Sequence, residues 1–166
     1  YNNRDLSDNY RDKILINNFN NGNFAITLPT GTNDNKYIKI GSDSNDHLTC
    51  NNTEDSILAG MGGVNTYYKS IDLTTNCRII DNSNSPKIIK ITGDISNSGA
   101  RLLQNTGSNN LEVYGLKATD LIDLSNLNFT SFDNISYNQV ANGTTINLYG
   151  MTISIKGSNI FTITLD

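Results

Sequence analysis

The feature that most constrains this chain lies between Gly41 and Leu58, where GSDSNDHLT and CNNTEDSIL stand in register as two consecutive nine-residue units. Asp46 falls over Asp55, and Leu48 falls over Ile57. The bulk of each unit is Asp, Asn, Ser and Thr, which is turn chemistry. The remaining trios, His47-Leu48-Thr49 and Ser56-Ile57-Leu58, have the length of a short strand whose central apolar residue points inward. Two units make one winding, and windings stacked in parallel bring turns about eighteen residues apart face to face. The expected fold is therefore all-β: a short parallel β-roll or β-solenoid with a C-terminal β-rich, partly antiparallel cap.

The rest of the chain agrees with strands. Lys13–Ile16, Phe24–Leu28, Tyr37–Ile40, Ile88–Thr92, Leu111–Tyr114, Thr145–Leu148, Thr152–Ile155 and Phe161–Leu165 are short, rich in Ile, Leu, Thr and Tyr, and bounded by Asn, Gly or Asp. No helical stripe lasts three turns; Thr119 to Leu127 is short enough to be a 3₁₀ turn or a bent strand. DNSNSPK at 81–87, with Pro86, is the most loop-like stretch. It divides an N-terminal flank and degenerate roll, 1–81, from a β-rich cap, 82–166.

Composition excludes several partners. Only 36% of residues are hydrophobic and 17% charged, so the solvated surface is built from Asn, Ser, Thr and Gly rather than the Lys and Glu of a helical bundle. The net charge of −4, with Lys and Arg scattered, gives no basic footprint for nucleic acid. No apolar run is long enough to span a membrane, and YNNRDLSDNY lacks the apolar core of a signal peptide, so the chain is expected to be a piece of a longer one.

Turns that face each other would present carbonyl oxygens and Asp carboxylates to one another, an all-oxygen environment for a hard cation. Paired thiolates or imidazoles at metal-binding spacing are missing from this stretch, so Ca²⁺ fits better than zinc or copper. The candidate ligands are Asp43, Asn45, Asp46 and Asp55, joined by Gly60, Gly62 and Asn65 from a third unit, DSILAGMGGVNTYY at 55–68. In that unit Asn65 stands where the acid is expected, Tyr67 is the inward residue and Val64 is inserted. Two other uses are open to these residues: Asp and Asn as turn formers bonded to their own backbone, and Asn side chains stacked rung on rung without metal.

Here the sequence resembles the repeats-in-toxin family, whose nonapeptide is G-G-x-G-x-D-x-U-x with U apolar. The first unit keeps Gly41, Asp46 and Leu48 but carries Ser42 and Ser44 at two glycine positions; the second keeps Asp55 and Ile57 without glycine. INNFNNGNFAITL at 16–28 looks like the phrase that flanks such repeats. YGLKATDLIDLSNLNFTSFDNISY at 114–137 and GTTINLYGMTISIKG at 143–157 resemble segments that close many type I secretion substrates. The resemblance implies a bacterial secreted or cell-surface module that passes a type I exporter unfolded and folds outside on binding Ca²⁺. A site of roughly 10⁻⁴ M affinity would be empty inside a cell and filled outside.

Catalysis is not expected. His47, the only histidine, stands near Cys50, but spacing within a turn is no evidence of a nucleophile and base, and a surface strand position suits it better. Asp120 and Asp123 form a carboxylate pair whose bland use is a loop capping the sheet. Tyr67, Tyr68 and Tyr114 suit either a sugar-stacking platform or buried rungs with a satisfied hydroxyl. Cys50 and Cys77 are compatible with one disulfide in an oxidising compartment or with two unpaired small residues. The alternative to a secretion module is an adhesin, surface-layer or carbohydrate-binding module with a cell-surface or glycan partner, whose solenoid need not hold metal.

Overall fold

The computed structural model describes residues 36–93, 109–127, 135–148, 150–158 and 160–165, together with the backbone of three strands before them. Those three are β1 (Arg4–Asp5), β2 (Lys13–Phe19) and β3 (Gly22–Thr27). The chain continues through β4 (Lys36–Ile40), β5 (His47–Thr49), β6 (Asp55–Ala59), β7 (Asn65–Ser70), β8 (Cys77–Ile80) and β9 (Lys87–Thr92). Then come β10 (Asn110–Tyr114), β11 (Leu121–Asp123), a 3₁₀ turn at Ser125–Leu127, β12 (Ile135–Val140), β13 (Gly143–Leu148), β14 (Met151–Lys156) and β15 (Thr162–Thr164). The protein is nearly all β, with parallel and antiparallel pairing mixed.

From β4 to β11 consecutive strands alternate between two sheets. A large sheet has the order β1-β4-β6-β8-β10-β14-β13-β12 and a small one β15-β11-β9-β7-β5. Pairing is parallel along β4-β6-β8-β10-β14 and throughout the small sheet. It is antiparallel where β1 meets β4 and where the β12–β13 hairpin meets β14. β2 and β3 form a separate antiparallel hairpin with a bulge.

Strict register stacks like on like. Leu48, Tyr67, Ile89, Ile122 and Ile163 are paired in sequence across the small sheet, and Leu58, Ile79, Val113 and Ile155 across the large one. All nine belong to or pack on one apolar core, so the sheets face each other across it. Burying an Ile or Leu side chain contributes about 1.5–3 kcal/mol, and β-branched residues suit such columns.

One expectation is corrected. Leu48 points into the core as expected, but Ile57 does not: Leu58 does, and Ile57 joins Ile38, Ala59 and Ile80 in a second cluster on the opposite face. The reason is that β6 is five residues long and buried on both faces, so alternation puts Ser56 and Leu58 inside and Asp55, Ile57 and Ala59 outside. At 81–87, where the boundary is expected, the chain turns a corner between β8 and β9. Strands on either side of it pair in register, β8 with β10 and β7 with β9. The Thr119 to Leu127 stretch is β11 followed by the 3₁₀ turn.

Cys50, at the end of β5, and Cys77, at the start of β8, form a disulfide with Cα atoms 6.0 Å apart. Both are buried in the shared core, so the bond links the small sheet to the large one. It closes a loop spanning 27 positions, and a loop of that size is worth about 3 kcal/mol through the unfolded chain. Replacing both residues by Ser is expected to lower stability in urea denaturation by about that amount and to abolish any response of the melting temperature to dithiothreitol.

Candidate functional site

Polar residues that the apolar columns cannot absorb collect at the two corners where the chain passes between sheets. At the first corner, Gly41, Gly60, Asp81, Gly115 and Gly157 follow directly after the register-paired residues Ile40, Ala59, Ile80, Tyr114 and Lys156. Backbone bonds run rung to rung there, Gly41 N–H to Ala59 O (2.8 Å) and Gly60 N–H to Ile80 O (3.0 Å). A side chain at Gly60 would collide with the Tyr67 hydroxyl and the Asp81 carboxylate, and Gly115 has a φ of +84°.

Asp46 and Asn65 precede small-sheet strands at this corner, and both are buried. Asp46 Oδ2 accepts the Ser42 N–H at 2.6 Å and the Ser42 hydroxyl at 3.2 Å. The Asp46 N–H donates to Asn65 Oδ1 at 3.0 Å, and Asn65 Nδ2 donates to Asp81 Oδ2 at 3.0 Å. The Tyr67 hydroxyl donates to the same oxygen at 2.7 Å, and Asp81 Oδ1 accepts the Ser83 N–H at 2.9 Å. Burial, then the Asp81 charge, raise the Tyr67 pKa well above its usual value, keeping the hydroxyl a donor.

One rung further, Lys87 pairs in register with Asn65. Its ammonium lies 3.2 Å from Asp120 Oδ2, with both side chains fully buried. It also donates to Ser83 O at 3.1 Å. Asp120 accepts the Lys87 N–H at 3.0 Å and the Lys117 N–H at 2.7 Å, while the Lys117 ammonium reaches Ser83 O at 3.0 Å. The chain's own ammonium groups therefore sit among the carbonyl oxygens of this corner, which offsets the cost of burying the carboxylate.

The opposite corner repeats the device facing outward. Asp55 accepts the Asn76 N–H at 2.8 Å and Asn76 Nδ2 at 3.2 Å, and Asn76 Oδ1 accepts the Asn110 N–H at 3.2 Å. Nearby, buried Lys69 donates to Thr75 O at 2.6 Å, and the Thr75 hydroxyl donates to Asn51 O at 2.8 Å. Burial lowers the Lys69 pKa to about 8, partly opposed by Asp55.

Of the seven candidate metal ligands, Asp43, Asn45, Asp46, Gly60, Gly62 and Asn65 lie in the facing turns 41–46 and 60–65, and Asp55 lies at the other corner. Those turns are joined directly: Gly62 N–H donates to Ser42 O at 3.2 Å and Val64 N–H to Asn45 Oδ1 at 2.7 Å. Asp43 is exposed. Within those two turns one carboxylate is buried, that of Asp46, and its Oδ2 accepts the Ser42 N–H. Among the described residues no three His, Cys, Asp or Glu side chains gather as a metal-binding group.

The other expected residues separate. His47 is an exposed strand residue, its Nδ1 3.1 Å from the Tyr68 hydroxyl, and Cys50 is in the disulfide. Asp120 is bound to Lys87, whereas Asp123 accepts from Ser125 Oγ at 2.6 Å and lies 3.7 Å from Lys90. Burial pushes the Asp123 pKa up, but the Ser125 bonds and then Lys90 bring it below its usual value. Asp81, Lys87 and Asn76 escaped the sequence reading. Asp81 was legible as the residue in phase with Gly41 and Gly60, had the rung length been known.

Against protein-family models, curated proteins and solved structures, the chain has no match.

Asp81→Ala is expected to cost about 3 kcal/mol in urea denaturation, since it strands the Tyr67 hydroxyl and the Asn65 amide in a buried corner. Adding Tyr67→Phe should cost little more, giving a coupling of about 1–3 kcal/mol in the double-mutant cycle. Lys69 sets a pH dependence. Its folded pKa of about 8 lies below the ordinary lysine value of 10.5, so between these limits the unfolded chain holds more protons and stability rises with pH. Lys69→Met should remove that rise over pH 8 to 10, read as melting temperature against pH.

Proposed function

We propose that this chain is a non-enzymatic, two-sheet β-solenoid module of an exported protein, its rungs held by side-chain ladders at the corners, with a working face on its flank. The alternation of consecutive strands between two parallel sheets carries this reading, because a chain that alternates so winds once for every two strands. The Cys50–Cys77 disulfide supports an oxidising compartment outside the cytosol. The β12–β13 hairpin on β14 supports the partly antiparallel cap. Passage through a type I exporter and a bacterial surface location rest on the resemblance of 41–67 and 114–157 to repeats-in-toxin proteins.

Ca²⁺-promoted folding is the competing reading, and one observation favours it: the two turns that such repeats would use, 41–46 and 60–65, do face each other. Against it, Asp46 would have to exchange its Ser42 donors for an ion. Circular dichroism of the purified chain separates the two. The ladder reading expects the β signal and the melting temperature in EGTA to match those in millimolar Ca²⁺. Strand content that appears only as Ca²⁺ is added would replace it with the metal-wound alternative.

A further inference from the structure

We propose that the outer face of the large sheet binds a neutral, linear glycan laid along the stacking direction; this deepens the module reading above by naming the ligand class of its flank. The site is a trough of about 250 Å³ crossing β6, β8 and β10. Each of these strands contributes two outward residues, one to either row: Asp55 and Ile57, Asn76 and Arg78, Asn110 and Glu112.

One row is the ladder already described, a line of carboxylate and amide groups fixed by its own hydrogen bonds. In the other, Arg78 Nε donates to Glu112 Oε2 at 2.9 Å, with the two side chains 37% and 34% exposed. The Tyr114 hydroxyl donates to the same Glu112 oxygen at 3.1 Å, and the Arg78 guanidinium lies 5.9 Å from the Tyr114 ring centre. These groups are oriented before any ligand arrives, which reduces the entropy lost on binding. Ile57 lines the same trough beside Asp55, where the edge of its side chain borders the polar rows.

The chemistry selects polyols. Carboxylate, amide and guanidinium groups offer donors and acceptors in pairs, as vicinal hydroxyls require, while the edge of Ile57 suits the C–H face of a sugar ring. Arg78 is matched by Glu112 and Asp55 adds a negative charge, so a polyanion is disfavoured. Rungs repeat at about 4.8 Å, close to the length of one β-linked sugar, so successive sugars meet successive rungs. The same rows continue in register to Thr152 and Ser154 on β14, which extends the track beyond one sugar.

Isothermal titration of the whole chain with cellohexaose, chitohexaose, mannohexaose and hexagalacturonate tests this. At least one neutral hexasaccharide is expected to bind, more tightly than its trisaccharide, and hexagalacturonate more weakly than either. Asn110→Ala, at an exposed position, and the pair Arg78→Ala with Glu112→Ala should each weaken binding about tenfold, the worth of one hydrogen bond. His47→Ala on the far sheet should leave it unchanged. Absence of binding by all three neutral hexasaccharides, preference for hexagalacturonate, or loss on His47→Ala alone with Asn110→Ala silent would overturn the trough. Circular dichroism of each variant keeps the outcomes apart: no binding with the β signal intact removes the glycan site and leaves the solenoid module standing.

Discussion

Everything in this fold depends on polar groups that bond from one strand to the next at the corners. In these parallel sheets each strand from β4 to β9 pairs with the next strand but one in the chain, so local turns cannot set the register. Here Asp46, Asn65 and Asp81 set it at one corner and Asp55, Asn76 and Asn110 at the other, each bonding to a backbone or side-chain group one rung away. Left unpaired, the buried Asn65 and Asp81 would cost a desolvation penalty. Paired, they fix which rung lies on which, and the apolar columns close behind them.

The corners explain the composition as well. Rung-to-rung bonding needs short side chains with both donors and acceptors, and Asn and Asp supply these without filling the space that the neighbouring glycines leave. Lys87 adds a charge where the carboxylate of Asp120 and the carbonyl of Ser83 converge. Lys69 does the same on a smaller scale, with its ammonium against the Thr75 carbonyl. The protein thus tolerates fully buried lysines because oxygen-rich turns surround them.

Much of this was legible in the amino-acid order. The phase shared by Asp46 and Asp55 marks strand starts in both sheets, and His47–Thr49 is the strand that the nine-residue register expects. What the order could not show is the direction each side chain faces. Asp46 and Leu48 turn inward, while Asp55 and Ile57, at the same phase, turn outward. A nine-residue repeat fixes turns and strands but not the parity of the pleat, because the turn between strands absorbs the difference. The later windings were hidden for another reason. Asp46 and Asn65 lie 19 positions apart, but Asn76 and Asn110 lie 34 apart, so segments between β9 and β10, and the β12–β13 hairpin after them, erase the period. Lys87 and Asp120, 33 positions apart, therefore carried no spacing signal, and the Asp81 corner read as loop.

The column that runs from Asp46 through Asn65 and Lys87 to Asp120 changes its chemical character from each level to the next. A stack of identical levels would let the thread settle one level too high or too low at little loss, which is how repetitive strands misassemble. This one is keyed. Displacing the strands by a single level would bring the ammonium of Lys87 away from its carboxylate and leave both dry and unmatched, so only one threading satisfies every tooth of the lock.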